Sequence, residues 1–348
     1  MGRAGPAAVG ILANPAAGRD VRRLAARASV STLESKRDQV ARAAVGALAA
    51  GVRRIVVLRE PLRVSLGALE ALAVDLEVEA LDVGARLSAE DTRRAARRMR
   101  DLGCGAVVVL GGDGTNRAVA QAWPEAPIVP ISTGTNNAFP APMEATSAGL
   151  AAGLVAAGAL PLDAVARRAK IVRAILPGGE EALALVDLVR LVDDAVGNLM
   201  PFDPGRIRDV LLSRAEPTAM GVSPIGGLLV PCRHEDEFGV QVSCVGHDDG
   251  GEPLLVPISP GLFGRVHVAA ARRLALGEPC RIEGGGVLAF DGDREHELEP
   301  GAVVEACVVR EGPWVIDVSR ALSVAAERRL LVGLPRPRDG LGRLPGCC

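Results

Sequence analysis

The apolar positions of the chain fall into two textures. Up to about residue 158, short continuous apolar runs alternate with longer segments of helical period. The runs are Val9 to Ala13, Arg54 to Leu58, Val78 to Val83, Ala106 to Leu110 and Pro127 to Pro130. Their lack of polar alternation is that of strands covered on both faces, as in a parallel sheet. Between them, Thr32 or Ser31 caps a helix through about Ala50, and a weaker helix covers Leu66 to Val74. Ser88-Ala89-Glu90-Asp91 has the form of a capping box with Asp in its third position, opening a helix to about Asp101. Asn116 to Ala122 and the alanine-rich Glu144 to Ala157 complete the set. Strand and helix in strict alternation predict a Rossmann-like α/β domain, with ligand loops at the carboxyl ends of its strands.

From about Leu160 the helical period gives way to short apolar runs punctuated by Gly and Pro. These are Ile171 to Leu176, Ala182 to Val192, Leu228 to Pro231, Val240 to Val245, Val266 to Ala270, Gly286 to Phe290 and Val303 to Val309. They predict a mainly antiparallel β domain, with a ligand cleft between the two. After Trp314 to Val318, the segment Arg320 to Leu331 is helical again and is expected to return to the first domain. The division expected is 1–158 with a returning helix at 320–333, then 159–319, then a disordered Pro/Gly/Arg-rich tail at 334–348.

Candidate chemistry concentrates where the strand Ala106 to Leu110 runs into Gly111-Gly112-Asp113-Gly114-Thr115-Asn116 and then a helix. The glycines let a ligand approach the main chain, and the helix start presents N–H groups and a positive dipole end. That suits phosphate, with one carboxylate, Asp113, placed among the phosphates to hold a metal ion or to take a proton from an attacking hydroxyl. No Gly-x-x-x-x-Gly-Lys-Ser/Thr is present, and Gly112-x-Gly114-x-x-Arg117 lacks the third glycine of the dinucleotide fingerprint. Two further polar loops, Asn14 to Asp20 and Ser132 to Pro140, follow the first and last strands of the set. Each alone is equally an ordinary turn.

Composition narrows the partners. The chain has 348 residues, 49% hydrophobic, with a formal charge of −2, which offers nucleic acid or a membrane surface no electrostatic footing. Aromatics are 2% with no tyrosine, so base-stacking platforms are excluded. Lys36 and Lys170 are the only lysines, so a phosphate clamp has to use backbone amides, arginine or a metal ion. The cysteines at 104, 232, 244, 280, 307, 347 and 348 are odd in number and scattered, which suggests reduced thiols in a cytoplasmic protein. The histidines at 234, 247, 267 and 296 have no metal spacing. Neither a secretory leader nor a membrane span is evident.

Four separated elements together resemble the superfamily that joins NAD kinases to diacylglycerol and sphingosine kinases. Asn14-Pro15-Ala16-Ala17-Gly18 is similar to the Asn-Pro-x-x-Gly loop of the diacylglycerol-kinase branch, and Gly111 to Thr115 matches the shared Gly-Gly-Asp-Gly-Thr signature. Gly134-Thr135-Asn136-Asn137-Ala138-Phe139 resembles that branch's Gly-Thr-Gly-Asn-Asp-Phe loop. Phe290-Asp291-Gly292-Asp293 is similar to the Asp-Gly-Glu turn of lipid kinases and the Asp-Gly-Gln turn of NAD kinases. Gly10 to Asp20, Ser132 to Asn137, Arg214 to Pro217 and Gly221 to Gly227 resemble most the NAD-kinase-like branch of bacterial acetoin-catabolism clusters.

The resemblance implies a kinase using ATP and Mg²⁺, with the 2′-hydroxyl of NAD as acceptor, and homo-oligomers. It implies Asp113 as general base or Mg²⁺-linked carboxylate, with Gly111, Gly112, Gly114, Thr115 and Asn116 around phosphates. Asn14 and Gly18 would line the same mouth, and Thr135, Asn136 and Asn137 would bind ribose or phosphate opposite. Ser223 and Gly226 would contribute from the second domain, and Asp291 would orient the cleft or bind metal. The chain departs from NAD kinases in lacking their Asn-Glu pair, with Asp187 or Asp193-Asp194 in the corresponding strand region. Their Thr-Gly-Ser-Thr-Ala-Tyr segment appears as Glu216 to Ser223, without the tyrosine. A nucleotide-binding regulatory protein without kinase activity, and a lipid kinase, are the alternative readings.

Overall fold

The computed structural model describes residues 7–18, 31–72, 74–134 and 137–333. Thr135, Asn136, Cys347, Cys348 and the tail expected at 334–348 lie outside them.

The first half follows the alternation. β1 (Ala8–Ala13) leads to α1 (Leu33–Ala49), whose N-cap Thr32 accepts the Ser35 N–H at 3.0 Å. β2 (Arg54–Leu58), α2 (Val64–Glu70) and β3 (Glu77–Leu81) follow. The expected weak helix is therefore shorter and starts earlier, because the Glu60 carboxylate caps the Val64 and Ser65 N–H groups. α3 (Ala89–Asp101) opens on the Ser88/Asp91 capping box, and β4 (Ala106–Gly111) runs into α4 (Asp113–Ala122). α4 begins at Asp113 rather than Asn116, so the aspartate is its first residue and not part of a free turn. β5 (Pro127–Ser132) and α5 (Ala145–Ala156) close this stretch.

Next come the short α6 (Leu162–Val165), β6 (Ala166–Arg168), β7 (Ile171–Ile175), β8 (Glu181–Ala184) and β9 (Asp187–Leu191). β10 (Ile207–Leu212) precedes α7 (Ser223–Gly227), then β11 (Phe238–Val245), β12 (Glu252–Ser259) and β13 (Leu262–Ala275). β14 (Cys280–Glu283), β15 (Gly286–Phe290), β16 (Asp293–Leu298), β17 (Val303–Val309), β18 (Trp314–Ile316) and α8 (Val318–Glu327) complete the chain.

The first seven-stranded sheet has the order β3-β2-β1-β4-β5-β18-β6, parallel except for β6. Alternate side chains of each strand enter opposite cores. Val108 and Leu110 of β4 pack with α1, α5 and α8, while Val107 and Val109 pack with α3 and α4. The remaining strands form an antiparallel seven-stranded sheet, β12-β13-β11-β10-β9-β15-β16, and a four-stranded sheet, β14-β17-β7-β8. The architecture is thus a parallel α/β domain followed by antiparallel β sheets.

Several apolar runs resolve differently. Ala182 to Val192 is two strands, broken at Leu185 and Val186, whose N–H groups bind the Asp291 carboxylate instead of a ladder partner. Leu228 to Pro231 is no strand: Pro224 starts a helical turn, and the Leu228 and Val230 N–H groups close it onto Pro224 and Gly226. β12, β14 and β16 escape the apolar reading because each is an edge or near-polar strand. β12 carries Pro253 and Pro257, which an edge position tolerates.

Candidate functional site

Two clefts meet at a pair of aspartates. The first, about 940 Å³ with its open solvent, lies over the carboxyl ends of β1 and β4 and the start of α4. Of the expected residues, Asn14, Gly18, Gly112, Asp113, Gly114, Thr115, Asn137 and Asp291 line it. The second, about 490 Å³, lies on the antiparallel side and is lined by Asp113, Asp187, Phe202, Met220, Ser223 and Asp291 among others. Asp113 and Asp291 belong to both.

The wall of the first cleft is built by small residues that let three loops close on one another. Asn14 leaves β1 and donates from Nδ2 to Thr115 Oγ1 at 2.9 Å, while its Oδ1 accepts the Ala16 N–H at 2.9 Å. Gly18 sits at φ +68, where a Cβ would strike the Thr133 carbonyl oxygen. Gly111 ends β4 under Thr115, whose Oγ1 a Cβ would meet at 2.6 Å, so this glycine is a packing requirement beneath the mouth. A Cβ on Gly112 would meet Asn137 Oδ1 at 2.8 Å. Gly112 is the N-cap of α4 and supplies no side-chain cap, so the N–H groups of the first turn face the cleft.

Asp113 reaches across to the opposite loop. Its carboxylate accepts the Phe139 N–H at 2.9 Å and the Ala138 N–H at 3.1 Å. Burial, followed by the charge of Asp291, pushes its pKa up to about 7, against the pull of those two N–H groups and of Arg214. Asp291 is left-handed at φ 49 in the β15–β16 turn, and its buried carboxylate accepts the N–H groups of Leu185, Val186 and Asp187. Burial raises its pKa too, opposed first by Arg117.

Other expected residues stand back. Asn116 is fully buried and donates from Nδ2 to the Gly112 carbonyl at 2.9 Å. Asn137 donates to Ser132 Oγ at 2.8 Å and shapes the loop wall. Ser223 lines the second cleft, but its hydroxyl is engaged by the Arg214 carbonyl and the Glu216 N–H. Gly226 lies in the core, where a Cβ would collide with Leu212, and lines neither cleft.

Three basic residues that were not among the expected site residues stand behind the clefts. Lys36, with no exposed surface, donates to the Pro15 and Ala17 carbonyls at 2.8 and 2.6 Å and so props up the first loop from α1. Arg117 lies one helical turn after Asp113, on the same face of α4. It binds Glu295 at 2.9 Å and Asp293 at 3.1 Å, joining the α/β domain to the β15–β16 hairpin. Arg214 leaves β10 and donates to the Ala138 carbonyl at 3.1 Å. The scarcity of lysine was the one sequence signal for Lys36. Arg214 stands in sequence within the Arg214 to Pro217 stretch without a role of its own, and Arg117 is conspicuous only once the two halves of the chain are brought together.

Among the described residues no three His, Cys, Asp or Glu side chains form a metal cage. The donor set nevertheless fits Mg²⁺ carried on phosphates, which needs one or two carboxylates and keeps several waters. Asp293 lines the first cleft with 43% of its side chain exposed and, beside its bond to Arg117 at 3.1 Å, has surface left to reach such an ion. Asp291 is committed to backbone N–H groups.

Residues 9–159 match the family model of the ATP-NAD kinase N-terminal domain, and residues 170–311 match that of the acetoin catabolism protein X C-terminal domain. The chain is 36% identical over 341 residues to acetoin catabolism protein X of Cupriavidus necator, covering 94% of this chain and 95% of that one. Among solved structures it is similar to a diacylglycerol kinase and a putative diacylglycerol kinase of Bacillus anthracis strain Sterne. Both are 13% identical, with TM-scores of 0.40 and 0.47, and in each case 90% of this chain and 98% of that chain are covered.

Proposed function

Because the chain belongs to the family of acetoin catabolism protein X and carries a kinase-like N-terminal domain, we propose that it is an ATP-dependent phosphotransferase with the 2′-hydroxyl of NAD as acceptor. The observation that carries this reading is Asp113: a carboxylate where two clefts meet, beside the uncapped start of α4, with a pKa of about 7. A base of that pKa is matched to proton removal near neutrality.

In this reading ATP lays its phosphates along the first cleft, over the N–H groups of the Gly112–Thr115 turn. Asn14 and Thr115, locked by their mutual hydrogen bond, hold the wall. The acceptor hydroxyl enters from the second cleft. Its oxygen bonds the γ-phosphorus as its proton passes to an Asp113 carboxylate oxygen. The bond from the γ-phosphorus to the β–γ bridging oxygen breaks, and its electron pair leaves with ADP. Bound Mg²⁺ would neutralise charge on the phosphates, held by Asp293. Positioning and charge compensation supply most of the rate in such transfers.

The missing Asn-Glu pair and tyrosine favour one second reading, a nucleotide-binding regulator without turnover. A coupled assay with ATP, Mg²⁺ and NAD, following NADP through an NADP-specific dehydrogenase, separates the two. Wild-type protein is expected to form NADP, and Asp113→Asn to lose about 10³-fold or more in turnover with ATP affinity retained. ATP and NAD binding without ADP release would establish the regulator. ADP release without NADP would keep the kinase and reject NAD, with diacylglycerol the next acceptor to assay; among the described residues no helix is long and apolar enough to cross a membrane.

A further inference from the structure

The connection between β9 and β10 borders the second cleft with a carboxylate turned inward and Val196, Leu199 and Met200 exposed. Arg294 of β16 holds it in that form. Its Nε donates to Asp194 at 3.0 Å, with both side chains buried. Nη1 donates to the carbonyls of Asn198 at 3.0 Å and Met200 at 2.8 Å. The guanidinium carbon stacks 4.4 Å from the Phe202 ring centroid, and the Arg294 carbonyl accepts the Gly197 N–H at 3.0 Å. Asp194 in turn accepts the Ala195 N–H at 2.8 Å and Asn198 Nδ2 at 2.6 Å. The run from Asp194 to Phe202 thus takes its course from one arginine.

A buried ion pair is a poor anchor on stability alone, since well-packed apolar residues of like volume often serve as well or better. What a planar fork bonded to a carboxylate and two carbonyls provides is a single geometry. Here that geometry sets Met200, with 48% of its surface exposed, beside Pro201 and Phe202 on the wall of the cleft that Asp113 also lines. The lining is of two kinds: the carboxylates of Asp113, Asp187 and Asp291, and the apolar groups of Met200, Phe202 and Met220. Asp291 lies three positions before Arg294 on the same hairpin, so the turn that seats the seam of the two clefts also fixes the loop.

We propose that the run from Asp194 to Phe202 is the acceptor-selecting wall of this chain, in place of the absent Asn-Glu pair, and that Arg294 is its positioning residue. This rests on the phosphotransfer reading with NAD as acceptor. The reacting 2′-hydroxyl shares its ribose with the adenine ring, so a hydroxyl brought to Asp113 carries a flat ring into the cleft beside it. The thioether of Met200 and the ring of Phe202 suit the face of such a group. Arg294 touches no reacting atom and acts through the loop.

The test measures calorimetric Kd values for NAD with Mg²⁺ and adenylyl imidodiphosphate, which resists hydrolysis, saturating the first cleft. Wild type is compared with three variants. Met200→Ser removes apolar surface from the wall, and Arg294→Lys keeps a charge for Asp194 without the fork. Leu199→Ser alters an exposed neighbour on the same loop that lines neither cleft. Met200→Ser and Arg294→Lys are expected to weaken NAD binding and to raise the KM for NAD by about tenfold, while kcat and the KM for ATP stay within about threefold. Leu199→Ser is expected to follow wild type. Met200 is half-exposed, so Met200→Ser decides on the wall even where Arg294→Lys melts early. The proposal is overturned if Met200→Ser keeps wild-type affinity, if Leu199→Ser loses as much, or if wild type binds no NAD. A well-folded Arg294→Lys with wild-type affinity removes Arg294 from its positioning role. Loop-dependent NAD binding without ADP release from ATP would instead sink the phosphotransfer reading and leave the wall in place.

Discussion

At Asp113, burial and the charge of Asp291 lift the pKa to about 7 while the Phe139 and Ala138 N–H groups resist. A base must be ionised to act, so kcat/KM is expected to rise with pH through a single ionisation near 7. A flat profile between pH 6 and 8 would remove Asp113 from that role. Stability runs the other way. The native carboxyl holds its proton above the ordinary value of 3.8, so its contribution is fully present below that value and is lost as pH rises through about 7. Asp113→Asn mimics the neutral form, and its one oxygen, placed where Oδ1 lies, keeps the Phe139 N–H at 2.9 Å and the longer Ala138 N–H contact at 3.3 Å. The variant should melt higher than wild type at pH 8, by about 2 °C or more, and show no advantage at pH 4. The aspartate itself was legible in sequence because Gly-Gly-Asp-Gly-Thr after an apolar run has few other uses. Its elevated pKa was not, since Asp291, 178 positions later in the chain, and the Phe139 amide meet it only in the fold.

Elements of strong period were legible: α1 and α3 begin at the expected caps, and the five strands of the first half lie where the apolar runs place them. What periodicity does not carry is how helices approach. α1 and α5 cross on glycine, with Gly46 against Thr146 and Gly149 against the Ala43 backbone, each leaving no room for a Cβ. Helix propensity alone makes Gly149→Ala stabilising by about 1 kcal/mol. The collision with the Ala43 carbonyl reverses the sign, and a loss of about 1–3 kcal/mol is expected from urea unfolding. Gly67→Ala in α2 is the control: its nearest neighbour is Arg37 Nε at 3.6 Å, and it should gain about 0.5–1 kcal/mol. A stabilising Gly149→Ala would show that the two helices separate readily.

For the molecule as a whole, the two halves are coupled through buried charge. Arg117 of α4 faces Asp293 and Glu295 on β16, with Asp291 at 3.9 Å from its Nε. Removing the cation leaves three carboxylates crowded against the start of α4, two of them part-exposed and hence partly screened. Arg117→Met is expected to lower the melting temperature by several degrees and to broaden or split the calorimetric transition as the α/β domain and the β sheets uncouple. A single sharp transition at the wild-type temperature would show that the apolar contacts of Leu185 and Val186 with the first core suffice.

The sequence by itself determined the class of each half, the three loops and the central aspartate. These follow from local signals: period, caps, glycine and proline. Tertiary structure decided the rest. It set Lys36 under the first loop, turned Asn116 and Gly226 inward, divided Ala182 to Val192 to seat Asp291, and brought Arg117 and Arg214 to the seam. Each of these depends on burial and on charges from distant parts of the chain, and neither quantity is defined until the chain has folded.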